Sequence, residues 1–339
     1  MRTILGLLLV ATSFACSSSP SSPSPDAPSA DAPEATVTST NPLTAARPDK
    51  ARLVAISASG GSLQNPCWSP NGDQLVFTRF RKGYNDGNSF VGRISTAGGT
   101  PFELTPFNVQ SINLPGACWN ATLNRIAFGS EASGHEEIFL VDPQGGHRTQ
   151  VTRVGNRQAS EPSISPDGQY IVFESHPIDR EDDGQIWRVR TDSTELVQLT
   201  AGPNDKQPNW SPSGDRILFQ RGLATGSGAE NVNWEIYTMS PSGDSLRNVT
   251  RSQASDTDAA WSPDGAYIVY SSDEGGLAYA NVFVIARDGG RPIRVTTSSG
   301  YDGAPSWSAD GKSIAFESSE RDPERTGTKI YVIDAPALR

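Results

Sequence analysis

Five acidic residues stand at fixed distances before a recurring motif, and they are the side chains best suited to bind a positively charged ligand. The motif is an aromatic or large aliphatic residue followed by Ser-Pro-Asp-Gly or a variant of it. Three aspartates lie five residues before its first position and two acids lie three residues before it, namely Asp205, Asp256, Asp302, Glu161 and Asp258. Clustered carboxylates repel one another unless a cation neutralises them.

These acids have two interpretations, and the sequence leaves both open. In the first, the repeats surround an axis, and the five carboxylates face one mouth of a central channel. There they bind a basic protein segment or calcium. In the second, the acids form turns, accept backbone N–H groups and bind no ligand.

Residues that support catalysis are sparse. The chain has only 3 His, and His135, His147 and His176 are scattered along it. A Gly-x-Ser-x-Gly motif is absent from the sequence. We therefore expect no catalytic residues, no metal ligands and no cofactor other than the calcium already considered. A pair of carboxylates acting as a glycosidase site stays open, because their separation cannot be read from a sequence.

The charge balance limits the partners. A net charge of -10 repels phosphate groups, so we expect no nucleic acid and no direct binding to an anionic membrane. A basic protein partner fits this charge, and we expect the chain itself to be monomeric. The content of Gly 32 and Pro 25 favours many short strands joined by tight turns.

The amino terminus predicts export. Residues 1–15 combine Arg2 with a short apolar run and small residues, which is typical of a signal peptide. Ser13-Phe14-Ala15-Cys16 resembles the lipobox of bacterial lipoproteins, which implies that Cys16 carries a lipid. The alternative is a secretory peptide cleaved elsewhere. Residues 16–50, rich in Ser and Pro, are predicted to form a disordered tether.

Two markers repeat with one period through the rest of the chain. The first position of the motif is Trp68, Trp119, Ile164, Trp210, Trp261 and Trp307. Between successive motifs a short strand-like run ends in threonine, at Thr105, Thr152, Thr200, Thr250 and Thr296. Each repeat divides into four short strands, which is the pattern of a propeller blade. We predict an all-β, six-bladed β-propeller of four-stranded antiparallel blades over residues 51–339.

The last repeat lacks a strand that ends in threonine. Residues 51–57 form an unassigned strand-like run before the first repeat. We predict that this amino-terminal strand pairs with residues 330–334 and closes the last blade, because an unpaired edge invites aggregation.

The repeats, with Trp-Ser-Pro-Asp-Gly as their hallmark, resemble the TolB-type, WD40-like propeller repeat. The resemblance covers residues 51–339 and implies the fold. It is weak for function, because similar repeats occur in scaffolds, transport accessories, peptidase caps and a few lyases. The second repeat departs from the pattern at Trp119-Asn120-Ala121-Thr122. TolB-like proteins bind partners over the channel mouth, and we expect a linker here where TolB has an amino-terminal domain.

Cys67 and Cys118 precede the motif at equivalent places in the first two repeats. An exported protein can join such a pair in a disulfide. Equivalent side chains point the same way round a ring, however, which favours two buried free thiols over a bond that needs facing side chains.

These observations predict a membrane-anchored, extracytoplasmic propeller that binds or scaffolds a protein in the cell envelope. The expected location is the periplasmic face of the outer membrane or the cell surface. The alternative is a carbohydrate-active enzyme, a lyase or glycosidase, or a sugar-binding protein that uses the face with the variable loops.

Overall fold

The structure is a computed structural model that describes residues 37–38, 47, 49–57, 61–105, 112–113, 119–225, 232–320 and 327–338. The predicted signal peptide, Cys16 and Cys118 lie outside these ranges. All regular secondary structure within them is β, apart from turns and bends. A helix long and apolar enough to cross a membrane is not found in the described ranges.

The strands follow one another along the chain in groups that correspond to the repeats. Before the first blade come β1 (Val37–Thr38) and β2 (Arg52–Ser57). The first blade has β3 (Ser62–Trp68), β4 (Gln74–Phe80), β5 (Ser89–Ser95) and β6 (Phe102–Glu103). The second has β7 (Ile112–Asn113), β8 (Trp119–Asn120), β9 (Arg125–Ser130), β10 (Glu137–Val141) and β11 (Thr149–Gln150). The third has β12 (Arg157–Ile164), β13 (Tyr170–Pro177), β14 (Gln185–Arg190) and β15 (Val197–Gln198).

The remaining three blades repeat the same order. The fourth has β16 (Asp205–Trp210), β17 (Ile217–Ala224), β18 (Val232–Met239) and β19 (Arg247–Asn248). The fifth has β20 (Asp256–Trp261), β21 (Tyr267–Ser272), β22 (Asn281–Ala286) and β23 (Ile293–Arg294). The sixth has β24 (Asp302–Trp307), β25 (Ser313–Ser318) and β26 (Lys329–Asp334). Each group forms its own antiparallel sheet, so the predicted six-bladed propeller is confirmed.

The amino-terminal strand closes the last blade. The order of that sheet is β1-β2-β26-β25-β24. Arg52 pairs with Val332 and Leu53 with Tyr331 in antiparallel register, which confirms the predicted pairing. The short strand β1 then pairs with the outer side of β2. Residues 37–38 and Arg47, inside the segment predicted to be a tether, thus contribute to the last blade.

The turn between the first two strands of a blade depends on its serine and aspartate. In the fifth blade Ser262 Oγ accepts the N–H of Tyr267 at 2.9 Å, and Asp264 Oδ1 accepts the N–H of Ala266 at 3.0 Å. Gly265 supplies the positive φ of 67°. The second blade lacks this glycine, and Asn124 provides a positive φ of 50° instead.

The repeated threonine has a structural role. Its hydroxyl accepts a backbone N–H of the third strand, as where Thr296 Oγ1 accepts from Val282 at 3.0 Å. The same bond joins Thr105 to Val91, Thr152 to Ile138, Thr200 to Ile186 and Thr250 to Ile236. The side chain therefore continues the hydrogen-bond ladder where the short fourth strand ends.

The motif tryptophans pack between blades, as predicted. Trp261 is buried against Leu218 and Ile236 of the preceding blade. Its Nε1 donates to the carbonyl of Asn209 at 3.3 Å.

Cys67 is buried and disulfide-bonded. The expectation of a free thiol at Cys67 is therefore wrong.

Candidate functional site

The three repeated aspartates lie inside their blades, and the structure pairs each one locally. Asp205 and Asp302 are fully buried, and each is held by an arginine. Arg221 Nε lies 2.6 Å from Asp205 Oδ1, and Arg47 Nη2 lies 2.6 Å from Asp302 Oδ2. The expectation that these carboxylates face one opening and repel one another differs from the structure. Each of these aspartates is the first residue of an inner strand, and there its side chain points into the blade.

Asp256 occupies the same position in the fifth blade, where serine hydroxyls replace the arginine. Ser272 Oγ donates to Asp256 Oδ1 at 2.5 Å and Ser252 Oγ to Oδ2 at 2.9 Å. Burial raises the pKa of Asp256 to about 6, although these two hydrogen bonds act in the opposite direction. A carboxylate that is buried without a cation holds its proton more tightly.

Glu161 and Asp258 lie at a different place, a β-bulge in the middle of the inner strand. The bulge residue has a positive φ in five blades, at Asn65, Glu161, Gln207, Asp258 and Ala304. The bulges of neighbouring blades are linked by side chains. The N–H of Gln207 donates to Glu161 Oε2 at 2.9 Å, and the N–H of Asp258 donates to Gln220 Oε1 at 2.9 Å. Glu161 therefore links the third blade to the fourth.

Glu161 also lines an acidic cavity, which is the main candidate site. The cavity has a volume of about 210 Å³ and is lined by Phe80, Asn85, Glu136, Ser160, Glu161, Glu174, His176, Glu181 and Lys206. These residues come from the first four blades. Asn85, Glu136 and Glu181 lie in loops between the second and third strands of their blades, and these loops form the face that we call the variable face. The carboxylates face a single ammonium, since Lys206 Nζ lies 3.7 Å from Glu174 Oε1. We call this cavity and the residues that line it the acidic cavity.

The electrostatics of the acidic cavity show excess negative charge. Burial and the nearby Glu161 raise the pKa of Glu136 to about 8. Burial and Glu161 also raise the pKa of Glu174, and the positive charge of Lys206 offsets this rise only in part. Side-chain hydrogen bonding with Glu161 adds to this rise in the pKa of Glu174. A bound cation would allow these groups to ionise.

Sequence reasoning found Glu161 but missed Glu136 and Glu174. The signal for Glu174 lies in its position ten residues after the motif residue, on the second strand. Residues at this place are polar or small in every repeat, namely Thr78, Gly129, Glu174, Gln220, Ser271 and Glu317. A polar residue within an apolar strand indicates a side chain turned towards the channel. Glu136 belongs to a variable loop, and only the fold brings it to Glu161.

A loop of the first blade contacts the chain that leads into the sixth blade. Tyr84, between β4 and β5, lies edge-on to Tyr301 with ring centroids 6.3 Å apart. Burial raises the pKa of Tyr84, and the nearby Glu317 adds to this effect. Glu317 is fully buried, and burial raises its pKa to about 7. A residue of the first blade thus meets residues of the sixth blade and of the chain that leads into it.

The other mouth of the channel has different chemistry. A cavity of about 390 Å³ is lined by motif residues that include Trp68, Trp119, Trp210, Trp261 and Trp307. This mouth is formed by the short Ser-Pro turns.

Within the described ranges, no group of three or more His, Cys, Asp or Glu side chains is arranged to hold a metal ion. Calcium binding by the five acids singled out in the sequence remains a prediction.

Comparison with known proteins agrees with this architecture. The sequence profile of the TolB beta propeller domain matches residues 45–228 and 222–334. The chain belongs to the TolB β-propeller domain family. The TolB-like assignment from the repeats is thereby confirmed, while the family contains no single activity that identifies the acidic cavity.

Relatives of this TolB-family propeller cover only parts of it. An uncharacterised protein of Agrobacterium fabrum is 28% identical over 194 residues, which is 54% of this chain and 63% of that protein. A TolB homologue of Chlorobium luteolum is 28% identical over 156 residues, 44% of this chain and 31% of that protein. The chain therefore matches less than two thirds of the length of either relative.

Solved structures show the same fold at low sequence identity. TolB from Acinetobacter baumannii has a TM-score of 0.59 at 17% identity, over 79% of this chain and 65% of that one. Oligogalacturonate lyase from Vibrio parahaemolyticus has a TM-score of 0.56 at 14% identity, over 89% and 99%. One fold thus serves TolB and an enzyme alike, so the function depends on the site.

Proposed function

We propose that this TolB-family propeller is a membrane-anchored protein of the cell envelope that binds a protein partner through the acidic cavity. The partner inserts a basic segment at the variable face. The observation that carries this proposal is the set of glutamates around one lysine, Glu136, Glu161, Glu174 and Glu181 around Lys206. The export signal and Cys16 support the envelope location and the anchor.

The energetics favour a cationic ligand. Glu174 is 3% exposed, and an ionised carboxylate at such depth is unfavourable without a partner. Lys206 supplies one positive charge for four carboxyl groups. An arginine or lysine of a partner supplies positive charge and donates charge-assisted hydrogen bonds to carboxylates that are already in place.

Partner capture from envelope extracts tests this proposal. Tagged wild-type protein is compared with the double variant Glu136→Gln and Glu174→Gln, which keeps the shape of the cavity but removes two of its four carboxyl groups. We expect the double variant to retain less than a tenth of the captured partner. The control, Glu195→Gln with Asp244→Asn, removes equal charge at exposed positions elsewhere. Equal capture by both double variants would contradict the proposal.

A carbohydrate-active enzyme is the second candidate, and one observation favours it. Burial and the nearby Glu161 raise the pKa of Glu136 to about 8, so Glu136 is protonated at neutral pH and lies close to a second carboxyl group. A protonated acid beside a second carboxylate is the arrangement used by glycosidases. Incubation with acidic and neutral polysaccharides distinguishes the two candidates. Release of reducing ends by the wild type, lost in Glu136→Gln, would establish the enzyme instead.

A further inference from the structure

Two blades hold a buried guanidinium between a pair of aromatic rings and an aspartate. In the fourth blade Arg221 pairs with Asp205, its Nη2 2.8 Å from Asp205 Oδ2. The guanidinium carbon lies 5.4 Å from the ring centroid of Phe219 and 5.1 Å from that of Tyr237. The ion pair and the two rings together form a complete binding site for arginine.

In the sixth blade the arginine comes from outside the blade repeat. Arg47, which precedes β2, places Nη1 at 3.0 Å and Nη2 at 2.6 Å from the two carboxylate oxygens of Asp302. Its guanidinium lies 5.2 Å from the Phe316 ring and 5.0 Å from the Tyr331 ring. This blade therefore binds an arginine that a separate segment of chain presents to it.

The fifth blade has the same site without the arginine. Asp256 is the first residue of the inner strand, as Asp205 and Asp302 are. Tyr270 and Phe283 stand where Phe316 and Tyr331 stand, with ring centroids 6.1 Å apart. Among the residues that the structure describes, no lysine or arginine forms an ion pair with Asp256, and no guanidinium lies over either ring.

In the fifth blade a serine hydroxyl donates to the carboxylate oxygen that accepts from an arginine in the fourth and sixth blades. Ser272 donates to Asp256 Oδ1 at 2.5 Å, just as Ser318 donates to Asp302 Oδ1 at 2.6 Å. The other oxygen of Asp256 accepts from Ser252 at 2.9 Å, whereas the other oxygen of Asp302 accepts from Arg47. The side chain of Thr250 also hydrogen-bonds Asp256, and in the fifth blade the hydroxyl of Ser252 stands in place of the arginine.

That hydroxyl has an alternative partner. Ser298 in the sixth blade corresponds to Ser252, and it donates to the carbonyl of Gly300 at 2.8 Å while Arg47 holds the aspartate. The carbonyl of Ala254 corresponds to that of Gly300 and already lies 3.4 Å from Ser252 Oγ. Ser252 can therefore release Asp256 without losing its hydrogen bond.

A cavity leads to this site. It has a volume of about 700 Å³, and both Ser252 and Tyr270 line it. Asp256 lies directly behind Ser252, one hydrogen bond from the cavity. A side chain that enters the cavity meets the hydroxyl and the ring that it must contact in order to reach the carboxylate.

We propose that the fifth blade binds the guanidinium group of an arginine presented by a segment of a partner protein, in the way that the sixth blade binds Arg47. The arginine pairs with Asp256, lies against Tyr270 and Phe283, and displaces Ser252 towards Ala254. Lysine binds less well, because its ammonium lacks the planar fork that matches a carboxylate. This site is separate from the acidic cavity and does not depend on the function proposed for it.

A synthetic peptide with the sequence of residues 45–50 serves as the probe, since this segment carries Arg47. Its binding to the full-length protein is measured by calorimetry, beside peptides with citrulline or lysine in place of the arginine. We expect the arginine peptide to bind at least tenfold more tightly than the citrulline peptide. Asp256→Asn should abolish this difference, and the exposed control Asp244→Asn should keep it. Arginine binding that survives in Asp256→Asn would overturn the proposal.

A second variant rebuilds the fourth blade in the fifth. Ser272→Arg places an arginine opposite Asp256, as Arg221 lies opposite Asp205, and Ser252→Gly reproduces Gly202, which lies against Arg221. The double variant should melt at a higher temperature and no longer bind the peptide. Peptide binding by this folded variant, shown by an unchanged circular dichroism spectrum, would contradict the assigned site. Glu136→Gln with Glu174→Gln should leave peptide binding unchanged, which separates this test from that of the acidic cavity.

Discussion

At the scale of single residues, burial separates acids that stabilise the fold from acids available for binding. Asp205 and Asp302 repeat most regularly in the sequence, yet arginines neutralise them inside their blades. Glu136 and Glu174 do not repeat as a pair, yet they share the acidic cavity with Glu161. A buried ion pair fixes a charge within the fold, whereas carboxylates without a cation retain an unsatisfied interaction.

The raised pKa of Glu136 predicts how stability depends on pH. Its pKa of about 8 lies above the ordinary value of 4.5, so the native state holds the proton more tightly than the unfolded chain does. The resulting stabilisation is present in full below a pH of about 4.5 and is lost as the pH rises through about 8. The melting temperature should therefore fall across this range, and fall less in Glu136→Gln. Scanning calorimetry of both proteins checks this, with Glu195→Gln as a control that should follow the wild type.

At the scale of the element, side chains extend hydrogen bonding beyond the backbone ladder. The fourth strands are only two residues long, as in β23 (Ile293–Arg294), and leave a third-strand N–H without a strand partner. The threonine hydroxyl accepts it in five blades. This explains why the repeat retains threonine at this position while the preceding residues vary.

Removal of one such hydroxyl should be costly. Thr296→Val keeps the shape of the side chain but leaves the N–H of Val282 buried without its acceptor, and we expect a loss of about 1–3 kcal/mol in the free energy of unfolding. Thr297→Val changes the next residue, whose side chain is exposed, and should cost less than about 0.5 kcal/mol. Urea denaturation measures both. Equal midpoints would show that the hydroxyl contributes nothing.

At the scale of the whole molecule, the ring is completed by chain that precedes the first repeat. Val54 and Ala55 of β2 pack in the core cluster that contains Ile330 and Val332 of the sixth blade and Leu63 of the first. Arg47 adds an ion pair to Asp302 in the same blade. The first and last blades are thereby joined by both apolar burial and charge.

Truncation tests this closure. A chain that starts at residue 46 keeps Arg47 and β2, and it should melt within a few degrees of the full-length protein. A chain that starts at residue 58 loses both and exposes the edge of β26, so it should melt far lower or aggregate. Arg47→Gln should fall between them, because it leaves Asp302 buried without its cation. Similar melting temperatures for the two truncated proteins would refute the role of β2.

The sequence by itself determined the architecture of this protein. Two markers with one period, Ser-Pro-Asp-Gly chemistry in the turns and a missing last strand were sufficient to predict six blades and their closure by residues 51–57. Such features are local, because turns and alternating strands depend on neighbouring residues. Trp261 and its equivalents were placed between blades for the same reason, since a large apolar side chain must be buried.

Only the tertiary structure decided which charges meet. Arg47 and Asp302 are 255 residues apart, and Glu136 and Glu161 belong to different blades. The repeat period alone predicted the same surroundings for Asp205, Asp256 and Asp302. In the structure, two of them form an ion pair with an arginine, and Asp256 accepts hydrogen bonds from serines instead. Electrostatic interaction depends on distance and on exposure to water, and neither quantity is a property of a residue's position in the repeat.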